Sequence, residues 1–314
     1  MDPLDEFLAG PRATRAFLMA VEMRTPWAIE VEDEAALTVV QVTQGSAIVA
    51  GVHLQVGDVA LVRGPAPYRV SDAPESSTTA VIGPRQECTT PGGEPLHERF
   101  AHGLRRWGNS ATPDTVMIVG AYAHDGAVGR LLTLSLPPVM IAPRTRSTAA
   151  VSALLAEEVR RTGLGQQAIL DRLLDALVVT VVREWVAEHR SDLDPSWLST
   201  TDPIALDGLR AMHSDPASTW TVADLAARAH VSRATFAARF HSAVGTSPMA
   251  YLARWRLALA AERLGDRALT VAHVGRSVGY DNAFAFSTAF KRHHGVSPAQ
   301  FREREADGTS VDAR

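Results

Sequence analysis

The sequence predicts an α+β chain in three parts: a strand-rich N-terminal half, a helical segment, and an all-α C-terminal domain. Three observations lead there. Phe236, Phe240, Gly245, Ser247 and Pro248 return as Phe286, Phe290, Gly295, Ser297 and Pro298. From Trp27 to about Pro84, apolar residues alternate or run in short clusters between glycine-bearing turns. Charge is uneven: 12 Lys+Arg against 6 Asp+Glu from Pro203 to Arg302 give +6, while 19 against 29 elsewhere give −10, within a net charge of −4.

In the N-terminal half, Leu37 to Val42, Ala47 to Val49 and Val59 to Val62 read as short strands. Gln44-Gly45-Ser46, Gly57-Asp58 and Gly64-Pro65 separate them, which predicts an antiparallel sandwich or small barrel. Val116 to Val119 and Leu131 to Leu136 supply further strand candidates. The stretch from Glu87 to Asp114, rich in Gly, Pro, Thr and Arg, reads as a mobile loop.

Thr148 to Arg161 predicts one helix, ending near Gly163 and Gly165, and Gln166 to His189 a longer one. The longer helix carries an apolar band too wide for packing on one side. Leu170, Leu173, Leu174, Leu177, Val181 and Trp185 are therefore expected to form the face of a twofold homodimer. The alternative is a helix enclosed within its own monomer. Caps and breakers from Asp192 to Pro203 mark a domain boundary.

The C-terminal repeat predicts tandem helix-turn-helix units. Leu206, Leu209 and Met212 belong to a leading helix, Trp220 to Ala229 form the first helix of the first unit, and small Ala226 permits close helix approach. Ser232 and Asn282 are the N-cap candidates of the two second helices. Such second helices enter the major groove of DNA. A basic segment on an acidic body suits phosphate neutralisation by one end of the chain.

Other classes are disfavoured. A single cysteine, Cys88, excludes an internal disulfide framework and a multi-thiolate metal site, so a reducing cytoplasm is expected. The start, Met1 to Glu6, lacks an apolar signal region, and Leu131 to Ala142 is broken by Pro137 and Pro138, so neither secretion nor a membrane partner is expected. His53, His97, His102 and His124 are scattered without ligand spacing. No metal, cofactor or catalytic residues are expected.

Residues 203–302 strongly resemble the DNA-binding domain of the AraC/XylS family of bacterial transcription regulators. The resemblance rests on Leu225-Ala226, Ser232-Arg233, Phe236, Arg239-Phe240, Gly245-Thr246-Ser247-Pro248, Tyr251-Leu252, Arg256 and Ala260. It continues in Val278-Gly279-Tyr280, Phe286-Ser287, Ala289-Phe290-Lys291-Arg292, Gly295-Val296-Ser297-Pro298 and Phe301-Arg302. The family implies seven helices, with a long one from Pro248 to about Leu264 holding two reading heads. Gly45-Ser46-Ala47 and Leu54 to Gly64 resemble the cupin barrel, the sensor domain of one branch of that family. Metal-binding cupins carry a His-x-His pair and a later His. Here Leu37 to Thr43 has no histidine and Tyr68 stands where the late one is expected, which implies a cupin-like pocket without a catalytic metal.

The expected organisation is a cupin-like ligand-sensing domain at 1–145, a helical dimerisation and linker segment at 146–200, a double helix-turn-helix domain at 203–302 and a disordered tail at 303–314. The expected function is a sequence-specific transcription regulator that binds double-stranded promoter DNA as a homodimer, under control of a small-molecule effector. A cupin-type enzyme carrying a DNA-binding module is the alternative, and a regulator whose N-terminal domain only dimerises is a third reading.

DNA contacts are expected from Ser232, Arg233, Ala234, Thr235, Ala237, Ala238 and Arg239 on the first head. On the second they are expected from Asn282, Ala283, Phe284, Ser287, Thr288, Lys291 and Arg292. Alanines 234, 237 and 238 offer no hydrogen bonds, so they read only shape and thymine methyls. Thr288 stands where family members commonly carry arginine. Arg233, Arg239, Lys291 and Arg292 are expected on phosphates. Phe284 reads equally as a groove contact or as an extra core residue.

Overall fold

A computed structural model describes residues 17–122, 136–190, 193 and 196–306. His124, most of the strand candidate at 131–136, Asp192, and residues 307–314 of the expected tail lie outside the described residues. The chain divides into two compact units, one holding the strands and the two helices that follow them, the other holding the chain from His189 onward.

The first unit contains β1 (Phe17–Met23), β2 (Ala28–Val31), β3 (Leu37–Gln44), β4 (Ser46–Val49), β5 (Val52–Gln55), β6 (Val59–Arg63), β7 (Tyr68–Ser71), β8 (Ala80–Ile82), β9 (Cys88–Thr89), β10 (Ala101–Gly103), β11 (Arg106–Gly108), β12 (Thr115–Tyr122) and β13 (Val139–Ile141). They form one sheet in the order β10-β11-β1-β12-β3-β6-β13 and another in the order β5-β4-β7-β2-β8-β9. Val21, Val40, Val42, Val62 and Met117 of the first sheet share a core cluster with Ile29, Val49, Leu54 and Val70 of the second. This is the strand-rich fold that the glycine-punctuated pattern predicts and the cupin-like one that the resemblance implies. Gly45 shows why the turns need glycine: φ is +71°, and a Cβ there would lie 2.3 Å from the Asp114 carbonyl oxygen.

Two expectations are corrected. The sheets are not purely antiparallel, because β1 pairs with β11, and β2 with β8, in parallel. The stretch from Glu87 to Asp114 is not a loop, since it supplies β9, helix α1 (His97–Phe100), β10 and β11. Phe100 and Trp107 from it are buried, with ring centroids 5.1 Å apart. Gly108 allows the parallel pairing, as a Cβ there would sit 1.7 Å from the Glu22 carbonyl oxygen. Strands of two or three residues present too few positions for alternation to show in sequence.

Helices α2 (Arg146–Val159) and α3 (Gln166–His189) pack on the same unit. A capping box at Thr145 and Thr148 starts α2. On α3, Leu174 occupies the space left by Gly120 of β12, where a Cβ would lie 2.8 Å from its Cδ1. The Tyr122 hydroxyl donates to Asp175 Oδ1 at 3.0 Å, and Gln41 Nε2 donates to the Ser152 carbonyl at 3.2 Å. These contacts place the helices on the outward face of β3 and β12, and they explain why all of β3 from Leu37 to Val42 is buried.

The dimer face expected on α3 is corrected by the same packing. Leu170, Leu174, Leu177 and Val181 are fully buried within the chain, and Leu173 and Trp185 are half-buried. Part of the wide apolar band is spent on the chain's own sheet, where Leu174 packs over Gly120. The 146–189 segment is thus part of the first unit rather than a free linker.

The second unit contains α4 (Pro203–Ser214), α5 (Val222–Arg228), α6 (Arg233–Val244), α7 (Pro248–Leu264), α8 (Val271–Ser277), α9 (Ala283–His294) and α10 (Pro298–Ala306). These are the seven helices that the resemblance implies, with α7 as the long one. The last runs to Ala306, four residues into the segment expected as a tail.

Candidate nucleic-acid interface and effector pocket

The two reading heads share one local design. Ser232 and Asn282 accept the backbone N–H of Thr235 at 3.1 Å and Ala285 at 2.7 Å, so α6 and α9 start at equivalent caps. Gly245 and Gly295 end them in the left-handed conformation, both at φ +76°. Their N–H groups return to His241 and Lys291, both at 2.9 Å. Phe236, Phe240, Phe286 and Phe290 are fully buried. Ala226 is buried as expected, and ring approach is closest at glycines: a Cβ on Gly208 would meet the Phe236 ring at 2.7 Å, and one on Gly275 the Phe286 ring at 3.0 Å.

The turns differ. Val231 N–H donates to the Ala226 carbonyl, and Tyr280 N–H to that of Gly275, both at 3.0 Å. These equivalent bonds pair residues 49 apart (226 with 275, 231 with 280), whereas the caps pair residues 50 apart (232 with 282). Asp281 is the extra residue, and it lengthens the second turn. The left-handed position in each turn is held by His230 at φ +55° and by Gly279 at φ +85°.

Most nominated contact residues lie on exposed surface. Ser232, Arg233, Ala234, Thr235, Ala238 and Arg239 are exposed, and Ala237 is half-buried. Asn282, Ala283, Phe284, Thr288, Lys291 and Arg292 are exposed, and Ser287, the equivalent of Ala237, is half-buried. Phe284 is 82% exposed, so it is no part of the core. Ala285, which sequence reasoning passed over, is also exposed.

Arg239 pairs within the chain. Its Nε donates to Asp202 Oδ2 at 2.8 Å and its Nη2 lies 2.6 Å from the same oxygen, so its guanidinium is engaged within the protein. Asp202 Oδ1 accepts the N–H groups of Ile204 and Ala205, capping α4. Burial raises the Asp202 carboxyl, but the Ala205 N–H bond and Arg239 outweigh it and hold the pKa below the ordinary carboxylate value.

Further arginines are structural. Arg256 on α7 donates to the carbonyls of Pro216 and Ser218, both at 2.7 Å, and to that of Gly279 at 3.4 Å, pinning the loop between α4 and α5 to the turn between α8 and α9. Arg263 donates to the Ser277 carbonyl at 2.7 Å, and Arg302 to the Leu269 carbonyl at 2.8 Å. A count of basic residues therefore overstates the charge left for phosphates. His213 hydrogen-bonds Tyr251 at 2.8 Å and lies with its ring tilted 4.4 Å from that of Trp255, and its burial pushes its pKa down to about 3.

Between the sheets of the first unit lies a cavity of about 270 Å³. Val40, Val70, Met117 and Val119 are among its apolar walls, and Thr38, Tyr68, Cys88, His97 and Arg106 are among its polar lining. Tyr68, noted in sequence as standing in a histidine's place, faces this cavity. Burial raises its pKa; a hydrogen bond from Thr38 opposes the rise and the nearby Asp33 charge adds to it. Burial alone pushes the Cys88 thiol up to about 11, away from thiolate reactivity. His53 is exposed on β5, and His102 bonds the Gly108 carbonyl at 3.0 Å. Among the described residues no group of three or more His, Cys, Asp or Glu side chains converges as a metal site would require. Trp107 in the lining was missed because its segment read as loop.

Comparison with known proteins agrees with both halves. The family described as "Cupin" matches residues 2–187, and that described as "Helix-turn-helix domain" matches residues 225–304. A protein of Streptomyces lividans named as an AraC-like transcription regulator is 31% identical, across 96% of this chain and 98% of its own length. The chain belongs to the AraC-like transcription regulators. A regulator of the same description from Streptomyces antibioticus is 29% identical, across 96% of this chain and 99% of its own length. Among solved structures, the DNA-binding domain of AdpA in complex with a target DNA is 31% identical, covers 34% of this chain and 96% of that one, and aligns with a TM-score of 0.32. Membership makes this AraC-family chain a DNA-binding transcription regulator with a cupin-like domain. No helix among the described residues is long and apolar enough to cross a membrane.

Proposed function

We propose that this regulator is controlled by a small molecule held in the cavity between the two N-terminal sheets, and that occupancy shifts its affinity for promoter DNA. The carrying observation is a cavity of about 270 Å³ inside the cupin-like unit of a chain that also bears two helix-turn-helix heads. A ligand that prefers one conformation of the chain shifts the DNA equilibrium only by its differential affinity, a coupling of about 1–3 kcal/mol in typical cases. Sequence selection is assigned to the second head more than the first, because Phe284, Thr288 and Lys291 are exposed there while the first offers Ala234 and Ala238.

A homodimer is the second part of the proposal. Since the α3 band is buried within the chain, the contact is assigned instead to Leu154 on α2 and Ile169 on α3, which are 55% and 46% exposed.

Selection of DNA from a random library by the full-length protein, followed by affinity measurement with and without metabolite pools, tests the first part. A selected operator whose affinity changes with a metabolite that also raises the melting temperature supports control by a ligand. An operator bound equally under all pools, with no thermal shift, overturns it. Light scattering at micromolar concentration tests the second: a dimer that Leu154→Glu converts to monomer is expected, and a wild-type monomer rejects it.

A further inference from the structure

We infer that the cavity takes a neutral, mainly apolar molecule with one hydroxyl or carbonyl group, placed at Tyr68 and Thr38. The inference rests on the reading that this cavity is the effector site, and it names the chemical class that fits. Its volume of about 270 Å³ lies just under the roughly 300–1,000 Å³ of sites for drug-sized ligands, which suits a molecule of about ten to fifteen non-hydrogen atoms.

The charged groups of the lining are already engaged. Arg106 donates from Nε and its second guanidinium nitrogen to both carboxylate oxygens of Glu22, at 2.8 and 2.9 Å. Asp33 accepts Gln86 Nε2 at 2.8 Å through one oxygen and the Ala35 N–H at 3.1 Å through the other. His97 is exposed at the start of α1. An anionic ligand would bring its charge toward Asp33 in an apolar enclosure, and a buried charge without its own partner costs several kcal/mol. A sugar fares no better: each enclosed hydroxyl left without a partner costs about 1–3 kcal/mol, and walls such as Val40, Val70, Met117 and Val119 supply none. The Tyr68 and Thr38 hydroxyls both line the cavity, and each can donate and accept, so together they can receive a single polar group.

The test uses the full-length protein with decanol, decanoate and glucose as probes, read by melting temperature and by fluorescence of lining Trp107. Decanol is expected to bind saturably at one per chain, decanoate at least about tenfold more weakly, which is about 1.4 kcal/mol, and glucose to give no shift. Tyr68→Phe is expected to weaken decanol about fivefold while leaving the fold intact, the loss of one net hydrogen bond. Val119→Trp, which fills the cavity, is expected to abolish saturable binding and so to exclude adsorption elsewhere. Decanoate binding as tightly as decanol, glucose binding, no binding of any probe, or decanol binding unchanged by both variants would each overturn the assignment. Saturable decanol binding that leaves operator affinity untouched supports the ligand class and rejects the effector reading; binding of a charged or polyhydroxylated metabolite that does shift operator affinity rejects the class and keeps the reading.

Discussion

The two helix-turn-helix units of this chain have corresponding supports and unlike faces. Caps, left-handed glycines and phenylalanine pairs correspond between α6 and α9, down to equal φ values at Gly245 and Gly295. Yet one turn bends through a histidine and the other through a glycine with an extra Asp281 behind it, and one head shows alanines where the other shows an exposed aromatic ring. A repeated core therefore constrains how a helix is held and leaves open what it reads.

The comparison breaks most sharply at the turns. Gly279→Ala is expected to destabilise the DNA-binding unit by about 3 kcal/mol or more, since the left-handed backbone and a Cβ within 2.8 Å of the Ala217 carbonyl oxygen and of Arg256 Nη2 both oppose it. His230→Gly at the matching position is expected to fall within about 1 kcal/mol of wild type, because relief of a positive φ offsets added chain entropy. Chemical denaturation of both variants checks this, and equal losses would mean the turns are not distinguished by backbone conformation.

The DNA-binding unit should carry its own pH dependence. His213 stays neutral when folded, with a pKa near 3, while an unfolded histidine titrates near pH 6.5. Between those values the unfolded chain binds the extra proton, so stability falls as pH drops from about 6.5 toward 3, by an amount on the order of a few kcal/mol. Comparison of His213→Phe with wild type across that window should show a shallower acid loss in the variant. Parallel profiles would reject the assignment.

Smaller effects separate the heads on DNA. Lys291→Ala is expected to weaken binding to all sequences and to lower the salt slope by about 1, whereas Phe284→Ala is expected to cost about 1–2 kcal/mol at preferred sites only. Fluorescence anisotropy across a salt series with selected and random duplexes distinguishes them. Arg239→Ala is expected to lower stability by about 1 kcal/mol or less, given its partial exposure, and to leave the salt slope unchanged. A reduced slope would return Arg239 to the phosphates.

Periodicity and caps exposed the helix-turn-helix units in the sequence, where both recognition helices start at the expected caps, and the family resemblance implied α7, which begins and ends at the residues it gave. The N-terminal strands were legible where they are long or bounded by glycine. They were not legible in β9, β10 and β11, whose two or three residues hold Trp107 and Gly108 in place through long-range parallel pairing. The ion pair of Arg239 with Asp202 was missed for a similar reason, because the two lie 37 residues apart and no local pattern joins them. The breadth of the α3 band was legible, but sequence does not say that Leu170, Leu174, Leu177 and Val181 are covered by the chain itself.

Asp281 bears on how this protein can be rebuilt. Because the extra residue sits in the turn, exchange of recognition helices between the two heads has to be cut inside the caps, from Ser232 or Asn282 onward, where the segments align without a gap. A swap that starts in the first helix of either unit carries one residue too many or too few into its host. Chimeras cut at the caps should inherit the donor's DNA preference on an undisturbed scaffold, which makes the two heads exchangeable cartridges rather than exchangeable domains.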